Sequence, residues 1–217
     1  MRNAARLLLI PLSVLLLAAC GKNIAYKQPP VEPSLAETPQ DDRGMYLDLL
    51  RQMQAQGAYF ASLAHIDAFR QRFGDSPELR ILLADALRET GDGNAAANVY
   101  RGLLKGAQAG PAWHGLGLVA ASSKDMEGAR QALQSAVRAD PLNTVYLGDL
   151  GFALLQAGQL PEARAPLAKA AELAPDNARA ISNLALWALL SVQPGVAEGM
   201  IERAGLPQAT RLEIYRL

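Results

Sequence analysis

Apolar and small residues in the second half of this chain recur with a 34-residue period. Laying Gly110–Asn143 over Thr144–Asn177 puts Leu116-Gly117 on Leu150-Gly151, Ala129 on Ala163, Leu133 on Leu167, Ala136 on Ala170 and Pro141 on Pro175. Each copy predicts a helix, a reversal and a second helix, a hairpin that buries its apolar face only by stacking on its neighbours. The phase runs backwards through Leu83-Ala84, Leu87, Gly91, Ala96 and Tyr100, in a unit one residue shorter. Before that, Tyr46, Leu49, Met53 and Gly57 fit a weaker unit, with its second helix at about Ala58–Phe73. Forward, Ile181, Leu184-Ala185, Ala188, Ala197, Ile201 and Ala204 supply another degenerate copy. Its turn is expected at Gln193-Pro194-Gly195, where Pro and Gly stop one helix and permit the reversal. Five hairpins should therefore start near Arg43, Pro77, Gly110, Thr144 and Ala178.

The small residues have a physical task. Gly or Ala after the first-helix Leu, and Ala at two second-helix slots, let helix axes approach closely. Tyr100, Trp113 and Leu167 fill the space that remains. Gly57, Gly91 and Gly158 sit where the first helix ends, a position that favours a left-handed backbone. With Trp113 in front, the first regular copy reads W-x2-L-G, followed by Ala129, Ala136 and Pro141. This resembles the tetratricopeptide repeat (TPR) across about residues 43–204. The resemblance implies an all-α, right-handed superhelical solenoid of about five hairpins occupying residues 43–206. Leu206, Leu212, Tyr215 and Leu217 have roughly helical spacing, and residues 207–217 are expected as a short C-terminal capping helix.

At the other end, Arg2 and Arg6 precede an apolar run from Leu7 to Ala19. As a helix it reaches about 20 Å, short of a hydrocarbon core of about 30 Å, so residues 1–19 read as a secretory signal. Leu17-Ala18-Ala19-Cys20-Gly21 resembles a bacterial lipobox, and Cys20 is the only cysteine. That resemblance implies diacylglycerol on the Cys20 sulfur, cleavage before Cys20 and acylation of the freed amine; the alternative is an ordinary signal cut after Ala19. One acyl chain anchors marginally, whereas three hold a protein on a membrane essentially permanently. Residues 20–42, with Pro29, Pro30, Pro33 and Pro39, read as a tether that packs no core. Gly21 in place of Asp favours the outer membrane, with the repeats facing the periplasm, although Lys22 leaves the inner membrane open.

Removing residues 1–19 leaves 19 basic against 21 acidic side chains, a formal charge of −2. With no basic stripe or aromatic platform, nucleic acid is not an expected partner. The two histidines, His65 and His114, lie in different repeats, and no Cys/His/carboxylate cluster has metal-ligand spacing. Gly115-Leu116-Gly117 sits mid-helix without a preceding strand, so it is no phosphate loop. Asp41-Asp42 lies in the tether and faces no evident partner. No enzyme, cofactor, metal or small-molecule substrate is expected, and the work should be protein binding.

In TPR proteins the second, fifth, ninth, twelfth and thirteenth positions of each first helix point into a concave groove. The resemblance places Leu47, Arg51, Glu78, Ile81, Asp85 and Arg88 there in the first two units, a mixed surface. It places His114, Leu118, Val145, Phe152, Leu155, Arg179, Leu186 and Leu189 there in the last three. That half should be mostly apolar, with polar edges at His114, Gln156 and Arg179, a groove for an apolar or amphipathic peptide. Phe152 and Leu155 are assigned to the groove, and Leu186 and Leu189 to core beneath residues 207–217. The Lys and Asn of a carboxylate clamp are missing, since those slots hold Leu47/Arg51, Ile81/Asp85 and His114/Leu118.

Tyr146–Gly158, Pro175-Asp176-Asn177-Ala178-Arg179 and Asn183-Leu184-Ala185-Leu186, behind a lipobox and a short tether, resemble the TadD lipoproteins of the tight-adherence (Flp pilus) system. The resemblance implies a pilotin-like assembly factor whose partner is a secretin or pilus-assembly subunit. The other reading is a TPR lipoprotein that scaffolds or regulates periplasmic peptidoglycan enzymes.

Overall fold

The computed structural model describes residues 39–216, which form eleven α-helices and no strand. They are α1 (Pro39–Ala55), α2 (Tyr59–Phe73), α3 (Pro77–Glu89), α4 (Gly93–Arg101), α5 (Ala109–Ser122), α6 (Met126–Ala139), α7 (Thr144–Gln156), α8 (Leu160–Leu173), α9 (Ala178–Leu190), α10 (Pro194–Arg203) and α11 (Gln208–Arg216). Each odd helix pairs with the even helix that follows, and each even helix up to α8 packs on the next odd one. The all-α hairpin solenoid implied by the repeat is the fold observed.

One reversal closes all five hairpins. The second residue past each first helix has a left-handed backbone: Gly57, Gly91, Lys124, Gly158 and Val192, with φ between +59° and +95°. At each, its N–H bonds back three residues and the next N–H bonds back five, as in Ala58 N–H to the Met53 carbonyl and Gln159 N–H to the Leu154 carbonyl. This double bond-back satisfies two carbonyls that the helix end would leave without donors. The last turn differs from the expected one. Val192, not Gly195, supplies the left-handed residue, and Pro194 opens α10, where its missing N–H costs nothing.

Within and between hairpins the missing side chains of glycine set the spacing. Gly115 lies under the Tyr100 ring, Gly151 against Leu167, and a Cβ on Gly117 would stand 2.6 Å from Leu133 Cγ. Tyr100 and Leu167 are fully buried and Leu133 nearly so. The segment Gly115-Leu116-Gly117 is thus a packing surface inside α5. At the C-terminal end, Ile214 of α11 is buried with Ile201, Leu206 and Ala188, with Leu189 packed against them.

The signal sequence, the lipobox, Cys20 and most of the tether lie outside the described residues. The tether's expected end at residue 42 is corrected: α1 begins at Pro39, a residue suited to a first helical turn. Asp42 therefore sits on α1, and its carboxylate accepts from Arg72 of α2, a partner the sequence did not reveal.

Candidate functional site

The odd helices present the inner face, and the first part of it is a polar cleft. A cavity of ≈ 310 Å³ is lined by Gln54, Ala55, Tyr59, Asp85, Arg88, His114 and Leu118, from α1 to α5. Its floor is fixed by Gln54, whose buried amide donates to Ser62 Oγ at 2.9 Å and to the Leu82 carbonyl at 2.7 Å. Asp85 accepts from the Tyr100 hydroxyl at 2.6 Å. Burial raises the Asp85 pKa above the ordinary aspartate value, and the Tyr100 bond and Arg88 charge offset part of that rise. The same burial, with the Asp85 charge beside it, pushes the Tyr100 phenol upward. Arg88 pairs with Glu89 at 2.7 Å, while its Nε is buried without an acceptor.

The polar surface continues across the next three helices through one carboxylate. Asp149 on α7 is only 7% exposed, yet it takes a bond from His114 Nε2 on α5 at 2.7 Å and from Arg179 on α9 at 2.6 Å. An ionised carboxylate only accepts, so the His114 proton in this bond is on Nε2. Tyr146 holds the imidazole from one side, with ring centroids 4.7 Å apart. Arg179, by contrast, has a side chain that is 68% exposed, and it borders a small cleft with Val145, Gly148 and Asn183. Two aspartates thus lie on the inner face, Asp149 buried and Asp85 half-buried, and each accepts from a donor on another helix.

Sequence reasoning missed Asp149. The signal was a single acid inside the otherwise apolar Tyr146–Leu155, since an ionised group in such a run needs partners from elsewhere. Of the residues assigned to the groove, His114 and Leu118 line the cleft half-buried, and Val145, Gln156 and Arg179 are exposed. Leu155 is corrected: it is buried at 7% exposure in a cluster with Leu154, Leu167 and Leu186, on which Phe152 also packs. Leu186 belongs to that cluster, so it is covered by α7 and α8 residues rather than by α11. Of the expected apolar C-terminal groove, Leu155 and Leu186 are therefore core, while Phe152 is half-buried and Val145 is exposed. Large side chains from α7 and α9 meet each other there, and burying them is worth about 0.8 kcal/mol per methylene.

Among the described residues no group of three or more His, Cys, Asp or Glu side chains could hold a metal ion. No helix among them is long and apolar enough to cross a membrane.

Comparison with known proteins places this geometry. Tetratricopeptide-repeat profiles match residues 81–144 and 120–186. The TPR repeat-containing protein PA4299 of Pseudomonas aeruginosa is 32% identical over 165 residues, covering 76% of this chain. The chain belongs to the TPR family. It spans 66% of that relative's length. Solved TPR structures share the fold. The Pseudomonas aeruginosa protein pilF superposes with a TM-score of 0.66 at 18% identity, covering 81% of this chain and 82% of that one. YrrB, described as a TPR protein with an unusual peptide-binding site, gives 0.57 at 19% identity over 83% of this chain and 95% of its own. A TPR array is a protein–protein interaction module.

Proposed function

We propose that this TPR chain is a lipid-anchored assembly factor that captures a secretin or pilus-assembly subunit of the tight-adherence (Flp) machinery. The observation that carries the reading is the lipobox-like Leu17–Gly21, with its single Cys20, placed ahead of a TPR array with an open inner face. Acylation of Cys20 fixes the protein at the outer membrane with the repeats in the periplasm. The Pro-containing residues 20–38 give reach, and the cleft from Gln54 to Leu118 with the His114–Asp149–Arg179 bridge receives the partner. Confinement to one surface then raises the effective concentration of factor and channel subunit.

The test is a crosslinking pulldown from membranes, comparing the native chain with Cys20→Ser. Recovery of a secretin by the native chain, with fewer or mislocalised secretin multimers in the variant, supports the reading. Recovery of peptidoglycan synthases, with secretin multimers normal in both strains, replaces it with the cell-wall scaffold.

A further inference from the structure

The fifth hairpin departs from its neighbours on the side of the even helices. Between α8 and α10, with α9 beneath, lies a cavity of ≈ 590 Å³, larger than the inner cleft. Leu160, Leu184, Trp187, Val196 and Met200 give it an apolar lining. The Trp187 Nε1–H donates to the Leu160 carbonyl at 2.8 Å, which fixes the indole, and the Arg164 guanidinium lies over the ring, 5.6 Å from its centroid. Arg164 is exposed and is the one charged residue that lines the cavity. Among the described residues it has no carboxylate within 4.0 Å. The acids of α10, Glu198 and Glu202, line a different cavity against α11.

The preceding repeat supplies an internal control. There the slots of Trp187, Val192 and Val196 hold Ala153, Gly158 and Glu162. Around one opening the fifth hairpin thus sets apolar side chains where its neighbour has a small, a permissive and a charged residue. Val196 lines the cavity, and Val192 stands between Ser191 and Gln193, which also line it. Both valines are exposed, and Val192 is held at a φ that is costly for a β-branched residue. Exposed apolar groups gathered at one opening mark a contact surface. We infer that this cavity docks a segment of a protein partner that inserts one large apolar side chain against Trp187 and sets an Asp or Glu beside it on Arg164. Charge complementarity selects the acid, because the lining offers one cation and no anion. A guanidinium stacked on an indole keeps its N–H edges for in-plane bonds, and those to a carboxylate are charge-assisted. The surface is separate from the inner cleft, so the partner-capture reading above neither requires nor excludes it.

The test is selection of a library of random 12-residue peptides, displayed as internal segments without free C-termini, on the full-length protein in nanodiscs. Enrichment of a large apolar residue with Asp or Glu beside it is expected. Val196→Glu installs the residue that the preceding repeat carries at this slot, so it should leave helicity unchanged and weaken a selected peptide about tenfold or more. Arg164→Ala should weaken an acidic peptide about tenfold, to the level of its Gln or Asn analogue, and Arg164→Lys should restore part of the affinity. Enrichment without acids, binding indifferent to Arg164, or binding indifferent to Val196→Glu each overturns the inference. So does self-association of the native protein that Val196→Glu abolishes, which would give the cavity to a second copy of the chain. None of these outcomes bears on the membrane pulldown, which tests the partner of the inner face separately.

Discussion

The inner face has two halves built on one register, and they do opposite things. Counting along each first helix, the slot of Asp85 is that of Leu118, Phe152 and Leu186, and the slot of Arg88 is that of Leu155 and Leu189. In α3 the two slots hold charged residues, and the space above them stays open as a cleft. In α7 and α9 they hold large apolar residues, and Leu155 and Leu186 vanish into the core. An inner-facing position is thus an address and not a role. Whether it becomes surface or core depends on whether the same slot one repeat away offers it something apolar to touch.

Truncating one leucine in each half probes the difference most strongly. Leu155→Ala should cost about 3 kcal/mol, because it opens a cavity in a closed cluster. Leu118→Ala, at the rim of the open cleft, should cost about 1 kcal/mol by transfer alone. Urea unfolding measures both, and equal costs would erase the distinction between the halves.

The closed half has a weakness at its turn. Val192 is 86% exposed and β-branched at φ +59°, where its counterparts in three other hairpins are glycine. Val192→Gly should raise stability by about 1 kcal/mol, as strain relief exceeds the added freedom of the unfolded chain. A melting point at or below the parent's would show that this turn is relaxed.

The open half should carry a pH signature. With the folded pKa of Asp85 above its ordinary 3.8, the native state keeps a proton that the unfolded chain has released between those two values. Stability therefore falls as pH rises through that window. Asp85→Asn keeps the acceptor for Tyr100 and removes the titration, so the variant should gain on the parent as pH increases from 3.8. Parallel stability curves would mean that the carboxyl titrates alike in both states. The smallest effect should come from Arg51→Ala, which removes an exposed pair with Asp48 and should shift stability by no more than about 0.5 kcal/mol.

The sequence displayed the fold because stacking demands small residues at fixed slots, and Gly117, Gly151, Ala129 and Ala163 meet that demand in phase. The site was less legible. Asp149 finds His114 and Arg179 at separations of 35 and 30 residues, which no single repeat period expresses. Their meeting depends on how far each hairpin is rotated on the last. The same rotation brings Leu155 to Leu186, which is why a residue assigned to the groove proved to be core. Phe152, packed partly on that cluster, is for the same reason a poor probe of binding, since Phe152→Glu would disturb packing as well as surface.

The five matching reversals bear on how such a chain lengthens or shortens over evolutionary time. Gly158 and Val192 leave their helices with the same backbone hand and the same pair of bonds, as do Gly57 and Gly91. Recombination between two neighbouring points would delete or duplicate the length of one hairpin and rejoin the chain at a junction it already knows how to fold. The helix ends are interchangeable splice points, and the inner-face residues carried between them are what such an exchange would shuffle.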